Sequence, residues 1–205
     1  MDRRRIIASG LVWMAAPAAL AQQPPADRGP AGGAPAMAPS EAGPAPTYSN
    51  EELTTQISDF FGVTAESAGA MVEKLFKDNG RPTGYIAGEE ASGAIAVGLR
   101  YGKGLLYMKY RPRMPVYWQG PSVGFDLGGN ASRVFTLCYN LQYPDAIFRR
   151  FPGVEGSAYF IGGLGVNYQR AEQITLAPVR AGVGFRLGAD VGYLSYSRHQ
   201  HIVPL

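Results

Sequence analysis

Two arginines enclosed by phenylalanines form the polar cluster of this chain that is best suited to bind a ligand. Arg149 and Arg150 follow Phe148 and precede Phe151. A guanidinium group is planar, permanently charged and matched in shape to phosphate, so this cluster suits an anionic lipid head group or a sugar phosphate. The alternative is an exposed basic turn that binds nothing, and the sequence favours it. Arg149 and Arg150 are nevertheless candidate ligand-binding residues.

Two adjacent aromatic residues, Tyr117 and Trp118, are the other candidate ligand-binding residues. They precede a Gly-Pro corner, and aromatic side chains beside a corner supply either a ligand platform or packing area for a core. Packing is the favoured interpretation. Further along, Asp126 and Arg133 flank a glycine-rich turn, and we expect them to form an ion pair across it rather than to do chemistry.

The acidic and histidine residues lack the arrangement that catalysis or metal binding needs. Neighbouring residues of an extended chain point to opposite sides, so Glu89 and Glu90 cannot flank one scissile bond. One of them is either a buried acid that points inward or an exposed residue. His199 and His201 would form a partial metal site on one side of a strand, but the sequence offers no third ligand, and their position excludes a Ser-His-Asp triad. The sequence predicts no enzyme, no metal and no cofactor.

Cys138 is the single cysteine of the chain. It lies in the apolar run from Val134 to Leu141, which predicts a buried, inert thiol rather than a nucleophile. One cysteine cannot form an internal disulfide, so the burial of apolar side chains must hold the folded domain together.

The N-terminus has the three regions of a secretory signal peptide. Arg3-Arg4-Arg5 precede an apolar stretch from Ile6 to Leu20, and Ala19-Leu20-Ala21 supplies small residues for cleavage. Residues 1–21 are therefore predicted to direct export to the periplasm, by the general or the twin-arginine route. Residues 22–47 are mostly Ala, Pro, Gly and Gln and predict a disordered spacer. One folded domain, residues 48–205, remains.

Export changes the charge of the mature chain. Residues 1–21 carry three of the 19 basic and one of the 16 acidic residues, so 16 and 15 remain and the net charge falls from +3 to +1. A charge this small removes the general electrostatic case for nucleic-acid binding. The mature chain also has no apolar stretch that predicts a transmembrane segment.

Residues 48–84 are predicted to form two helices. Ser49 followed by Glu51 and Glu52 is a typical helix start, and Gly62 ends that helix. A second helix covers residues 64–78 and ends at Asn79-Gly80. The apolar stripes of the two helices consist of Leu53, Ile57, Phe60 and Phe61, and of Ala68, Met71, Val72, Leu75 and Phe76.

Residues 85–205 change to the two-residue period of β-strands. Large odd-numbered residues alternate with small or polar even-numbered ones in Ile95–Tyr101, Val123–Leu127, Phe135–Leu141 and Val179–Leu187. Eight to ten such strands predict a mainly β protein, a small soluble antiparallel β-barrel preceded by the helices, with a sandwich as the alternative. We expect the large residues to fill the interior and the glycines to lie outside. Helix 64–78 then either packs on the glycine face or plugs the barrel.

Several short motifs between residues 50 and 197 are similar to a known family. They are Tyr85–Ala91, Gly98–Gly102, Tyr117–Ser122, Gly128-Gly129 with Ser132–Val134, Tyr139–Leu141 and Arg180–Ala189. With this spacing the chain resembles the envelope integrity protein A (EipA) family. The resemblance implies a small soluble β-barrel of the Gram-negative periplasm that helps to maintain the cell envelope, and it implies no catalytic residues.

A more distant resemblance concerns lipid binding. Trp118 and Pro121, followed by Gly124, Gly128 and an apolar strand, are similar to the lipid-binding SYLF domain, which implies an interaction with phosphoinositides. The residues and both resemblances predict a non-enzymatic protein that supports the envelope by binding an envelope lipid, glycan or protein. An enzyme acting on envelope polymers and a purely structural protein-interaction module are the alternatives.

Overall fold

The computed structural model describes residues 43–126, 132–181 and 192–200, without the side chains of residues 92–98 and 122–126. All of them belong to one compact unit, residues 41–205. The predicted signal peptide and most of the predicted spacer lie outside the described residues, as do His201 and the glycine-rich turn before Arg133.

Two helices open the described chain, as predicted: α1 spans Asn50–Phe61 and α2 spans Ala65–Asn79. Ser49 caps α1, since its hydroxyl accepts from the Glu52 amide while the Glu52 carboxylate accepts from the Ser49 amide. Gly62 ends α1 with φ 70°, a left-handed conformation that glycine adopts without strain. The capping and apolar patterns in the sequence were therefore sufficient to predict both helices.

The strands form one antiparallel, curled sheet. Their bounds are β1 Gly84–Met108, β2 Met114–Asp126, β3 Ser132–Tyr139, β4 Arg150–Pro152, β5 Tyr159–Ile161, β6 Leu164–Val166, β7 Gln169–Ala171, β8 Ile174–Ala181 and β9 Tyr193–Ser197, with a 3-10 turn at Pro144–Ile147. The order across the sheet is β4-β9-β2-β1-β3-β8-β6-β5, with β7 also paired to β8. A bridge between Gly153 and Gln169 brings the β4 and β7 edges together. The predicted mainly β, barrel-like fold is confirmed.

Strand β1 doubles back on itself. Its residues 84–90 pair with β3, while residues 94–106 pair with β2. The two parts lie close together at Gly88. A methyl group placed on this residue would overlap the Lys103 carbonyl oxygen and lie 2.7 Å from the Gly104 Cα. Only a residue without a side chain permits this approach at Gly88.

Two hydrophobic cores lie on opposite faces of the sheet. The inner core is enclosed by the curl and includes Ile86, Leu106, Val116, Trp118, Val134, Cys138, Phe151, Leu176, Leu194 and Tyr196. The outer core joins the helices to the outside of the sheet and includes Leu53, Ile57, Met71, Val72, Leu75, Tyr85, Phe135, Leu137, Tyr139, Val166 and Val179.

The expected assignment of the two faces was wrong. Phe135, Leu137 and Tyr139 were expected inside, but they pack against the helices on the outside. The even-numbered face of β3 points inward, where Val134 and Cys138 join the inner core. The reason is that the two amphipathic helices need a broad apolar surface to cover, whereas the narrow interior already receives Trp118. Helix α2 therefore packs mainly on the bulky outer face rather than inside the barrel, and it meets a glycine closely at Gly162, which lies against Ser67.

Candidate functional site

An open groove lies between α1 and the outer face of the sheet, with a volume of about 720 Å³. Strands β1, β2 and β3 supply its floor and α1 one of its walls. Its lining residues are Gln56, Asp59, Phe60, Tyr85, Ala87, Gly88, Glu89, Lys103, Gly104, Leu105, Tyr107, Pro115, Tyr117, Arg133 and Phe135. The size is within the usual range of small-ligand sites.

Stacked aromatic rings form the floor of the groove. The Tyr85 ring lies between Tyr107 and Phe135, with centroids 4.8 Å away on each side and interplanar angles of 14° and 13°. Phe60 of α1 meets Phe135 edge-on at 5.5 Å. Burial, followed by the neighbouring Tyr107, raises the pKa of Tyr85. Its hydroxyl therefore stays neutral at physiological pH and is able both to donate and to accept a hydrogen bond.

Four charged side chains balance one another around the groove. Asp59 and Glu89 are negative, whereas Lys103 and Arg133 are positive, and all four are exposed. Arg133 lies opposite Glu89 in the β1–β3 register, and its Nη1 donates to the Phe60 carbonyl at 2.8 Å, which ties β3 to the end of α1. The groove thus offers an apolar floor and donors and acceptors of both charges.

A buried ionic cluster occupies the opposite face of the same strands. Glu90 is only 4% exposed; its carboxylate accepts from the Arg180 Nε and Nη2 atoms at 3.2 Å each and from Trp118 Nε1 at 2.9 Å. Arg100 Nε lies 3.4 Å from the same carboxylate. Because a charge-assisted, bidentate arginine pair fixes orientation, the cluster holds β1, β2 and β8 in a single register.

The Trp118 indole leaves no room for a side chain at Gly102, its partner in the β1–β2 register. We expect Gly102→Ala to lower the free energy of unfolding by about 1–3 kcal/mol, because the added methyl group overlaps an indole fixed by Glu90. Urea unfolding monitored by tryptophan fluorescence measures this. Gly69→Ala in α2 is the control, since its methyl group would meet Thr54 at an ordinary 3.7 Å and should not destabilise the helix. Equal stability of parent and Gly102→Ala would contradict the tight fit.

The two aromatic candidates, Tyr117 and Trp118, lie on opposite faces of β2. Trp118 belongs to the inner core, packs against Tyr196 with centroids 6.0 Å apart and donates to Glu90. Tyr117 points to the other side of β2 and lines the groove. Adjacent strand residues alternate between faces, so only Tyr117 lies where a ligand in the groove would touch it.

The two arginine candidates contact different neighbours and lie away from the groove. Arg149 Nη1 is 2.7 Å from the Glu172 carboxylate, and the Arg150 guanidinium lies over the Tyr193 ring at 5.1 Å. Phe151 is fully buried in the inner core. Lipid binding by Arg149 and Arg150 stays a prediction.

The other residues considered for chemistry, Cys138 and Arg133, have contacts that stabilise the fold. Burial raises the pKa of the Cys138 thiol, in agreement with an inert cysteine. Arg133 donates to the Phe60 carbonyl of α1. The expected pair with Asp126 stays a prediction, because the Asp126 side chain lies outside the described ones. Among the described residues no three His, Cys, Asp or Glu side chains gather as metal ligands. Within that same part of the chain, neither helix is long and apolar enough to span a bilayer.

The aromatic floor of the groove escaped the sequence analysis. Tyr85, Tyr107 and Phe135 are far apart in the chain, and only the doubling back of β1 brings them into one row. The odd numbering of all three gives no signal by itself, because residues of different strands share a face only in a particular register. The register, which no local pattern specifies, was missing.

Comparison with known proteins shows which family this chain belongs to. A crystal structure described as a β-barrel-like, uncharacterized protein from Brucella abortus matches with a TM-score of 0.71 and 46% identity, over 78% of this chain and 99% of that chain. Curated proteins gave no match. The resemblance to SYLF domains stays a prediction. Residues 46–205 match the family Envelope integrity protein A, and the chain therefore belongs to that family.

Proposed function

We propose that this chain is a non-enzymatic, periplasmic protein that supports the cell envelope by binding an envelope glycan in the groove. Family membership supports an envelope-related role. The observation that carries the glycan assignment is the stacked row of Tyr107, Tyr85 and Phe135 beneath a rim of mixed charge. The periplasmic part of the proposal rests on the predicted signal peptide.

The chemistry of the groove suits a sugar better than an anionic lipid. The apolar face of a sugar ring packs on aromatic rings, which are large and rigid, while its hydroxyl groups need donors and acceptors around them. Asp59 and Glu89 supply acceptors, and Lys103 and Arg133 supply donors. An anionic head group would require an excess of positive charge, whereas these four groups sum to zero.

Glu89 and Arg133 face one open groove, an arrangement that an enzyme acting on envelope polymers would also need. Acid–base hydrolysis needs carboxylates whose environments differ, held in a site that excludes water. Asp59 and Glu89 are both exposed, and the third acid of interest, Glu90, points into the interior, where its carboxylate is bound to Arg180 and Trp118. These surroundings favour binding over catalysis.

Co-sedimentation with insoluble peptidoglycan sacculi, and binding to lipid-free polysaccharide released from lipopolysaccharide, test the proposal. We expect retention by at least one of these glycans and about a tenfold weaker affinity in Tyr107→Ala, since a lost aromatic contact costs about 1 kcal/mol or slightly more. Tyr117→Ala should weaken binding in the same direction. Both positions are half-buried on the outer face, so both variants should remain folded.

Tyr143→Ala is the matched control, because Tyr143 is 55% exposed and does not line the groove. Its affinity should equal that of the parent. Failure of both glycans to retain the parent, or equal losses in Tyr143→Ala and Tyr107→Ala, would overturn the glycan assignment. New reducing ends that appear with the parent but not with Glu89→Gln would overturn the non-enzymatic part.

A further inference from the structure

The turn between β1 and β2, residues 109–113, presents an aromatic ring and cations directly to solvent. Tyr110 is 94% exposed, the most exposed large apolar side chain among the described residues. Arg111, Pro112 and Arg113 follow it and are exposed as well. A single exposed aromatic residue is ordinary on a protein surface, so the inference rests on the combination of Tyr110 with the two arginines and with the backbone of the turn.

The backbone holds the Tyr110 ring at the tip of this turn. Tyr110 has φ 60°, a left-handed conformation that is uncommon for a bulky residue. The Arg111 amide donates to the Met108 carbonyl at 3.2 Å and closes the turn. A strained, hydrogen-bonded backbone that displays an aromatic ring is a feature found at binding sites.

The charge of the turn is concentrated on two arginines. Lys109 is occupied within the fold, since its Nζ lies 2.9 Å from the Glu52 carboxylate and 5.2 Å from the Tyr48 ring centroid. Neither Arg111 nor Arg113 makes an ion pair with any described residue. Two solvated guanidinium groups therefore follow the tyrosine within the same turn.

We propose that the turn of residues 109–113 docks the protein on a bilayer surface that contains anionic phospholipids. Cations near such a surface are attracted to its head groups, and tyrosine has a preference for the boundary between the hydrocarbon and water. A dissolved polyanion would explain the arginines but would gain little from an aromatic ring that is exposed beside them. The inference concerns a surface separate from the groove and goes beyond the proposed function.

Vesicle co-sedimentation at low ionic strength tests the docking surface. Residues 41–205 serve as the protein, because this unit contains both cores and the crystallised relative matches over 99% of its own length. We expect retention on phosphatidylcholine vesicles that contain phosphatidylglycerol, and little retention on phosphatidylcholine alone. The Arg111→Ala, Arg113→Ala double variant should partition about 30-fold less, at about 1 kcal/mol for each arginine. High salt should reduce the retention of the parent on these vesicles to a similar extent.

Two further variants separate the proposal from its competitors. Tyr110→Asn keeps a residue that tolerates the left-handed backbone but removes the ring, and it should reduce retention on vesicles without changing binding to dissolved dextran sulfate. The Lys77→Ala, Arg170→Ala double variant removes two positive charges from exposed positions in α2 and β7 and should bind like the parent. The proposal is overturned by absent retention of the parent, by equal retention of the Arg111, Arg113 variant, by full retention of Tyr110→Asn, or by a comparable loss in the Lys77, Arg170 variant.

Discussion

We expect Glu90→Leu to lower the free energy of unfolding by about 3–5 kcal/mol, the usual cost of removing one partner from a buried ion pair. The carboxylate accepts hydrogen bonds from Arg180 and from Trp118. Its loss deprives buried donors of their acceptor, and each such donor carries a desolvation penalty. A domain of this size is stable by only about 5–15 kcal/mol, so the variant should be close to unfolding at 37 °C.

Urea unfolding with both fluorescence and circular dichroism measures the effect. Glu90→Gln should fall between the parent and Glu90→Leu, because an amide oxygen still accepts from Trp118 although the charge is gone. Glu89→Gln is the matched control, since Glu89 is the adjacent residue, is exposed and points into the groove; its stability should change by no more than about 0.5 kcal/mol. If Glu90→Leu and Glu89→Gln have equal stability, the buried cluster does not hold the barrel together.

Local signals were sufficient for the helices and for the class of the sheet. The capping residues Ser49 and Gly62 act within one turn of the chain, so the bounds of α1 follow from nearby residues alone. The alternation in Phe135–Leu141 likewise indicates a strand whatever its surroundings. These signals say that two faces differ, but not which face the curl encloses.

The identity of the inner face depends on contacts far apart in the chain. Phe135 and Leu137 resemble the filling of a barrel until α1 and α2 are placed over them. Glycines at positions 88 and 102 resemble an outer face until Trp118 is seen to fill the space above Gly102, and Lys103 to contact Gly88. A slip of one residue in the register exchanges the two faces of a strand. Residue size alone therefore could not show which face the curled sheet encloses.

The candidate site was predictable only in part for the same reason. Tyr117 was singled out as an aromatic beside a corner and does line the groove. Tyr85 and Tyr107 were not, because each looks like an ordinary strand residue until β1 doubles back and stacks them at 4.8 Å. Arg149 and Arg150 stand together in the sequence, yet their partners, Glu172 and Tyr193, come from different parts of the chain.

Phe135→Ala should also lower the free energy of unfolding by about 3–5 kcal/mol, the usual cost of truncating a buried phenylalanine. Phe135 is 1% exposed, belongs to the outer core, and contacts both Phe60 of α1 and Tyr85 of β1. Its removal leaves a cavity where α1 meets the sheet, so α1 should become accessible to protease before the barrel unfolds. Chemical unfolding gives the energy, and limited proteolysis followed by mass spectrometry locates the first cuts.

Phe160→Ala removes the same side chain from β5, where it is 50% exposed, and should change stability by no more than about 0.5 kcal/mol. The contrast between the two phenylalanines tests the corrected orientation of β3. If Phe135 faced the interior, its truncation would loosen the barrel while α1 stayed protected, and the first cuts would fall in strands. First cuts within residues 50–61 in Phe135→Ala, and unchanged protection in Phe160→Ala, are the result that the packing of α1 on the outer face requires.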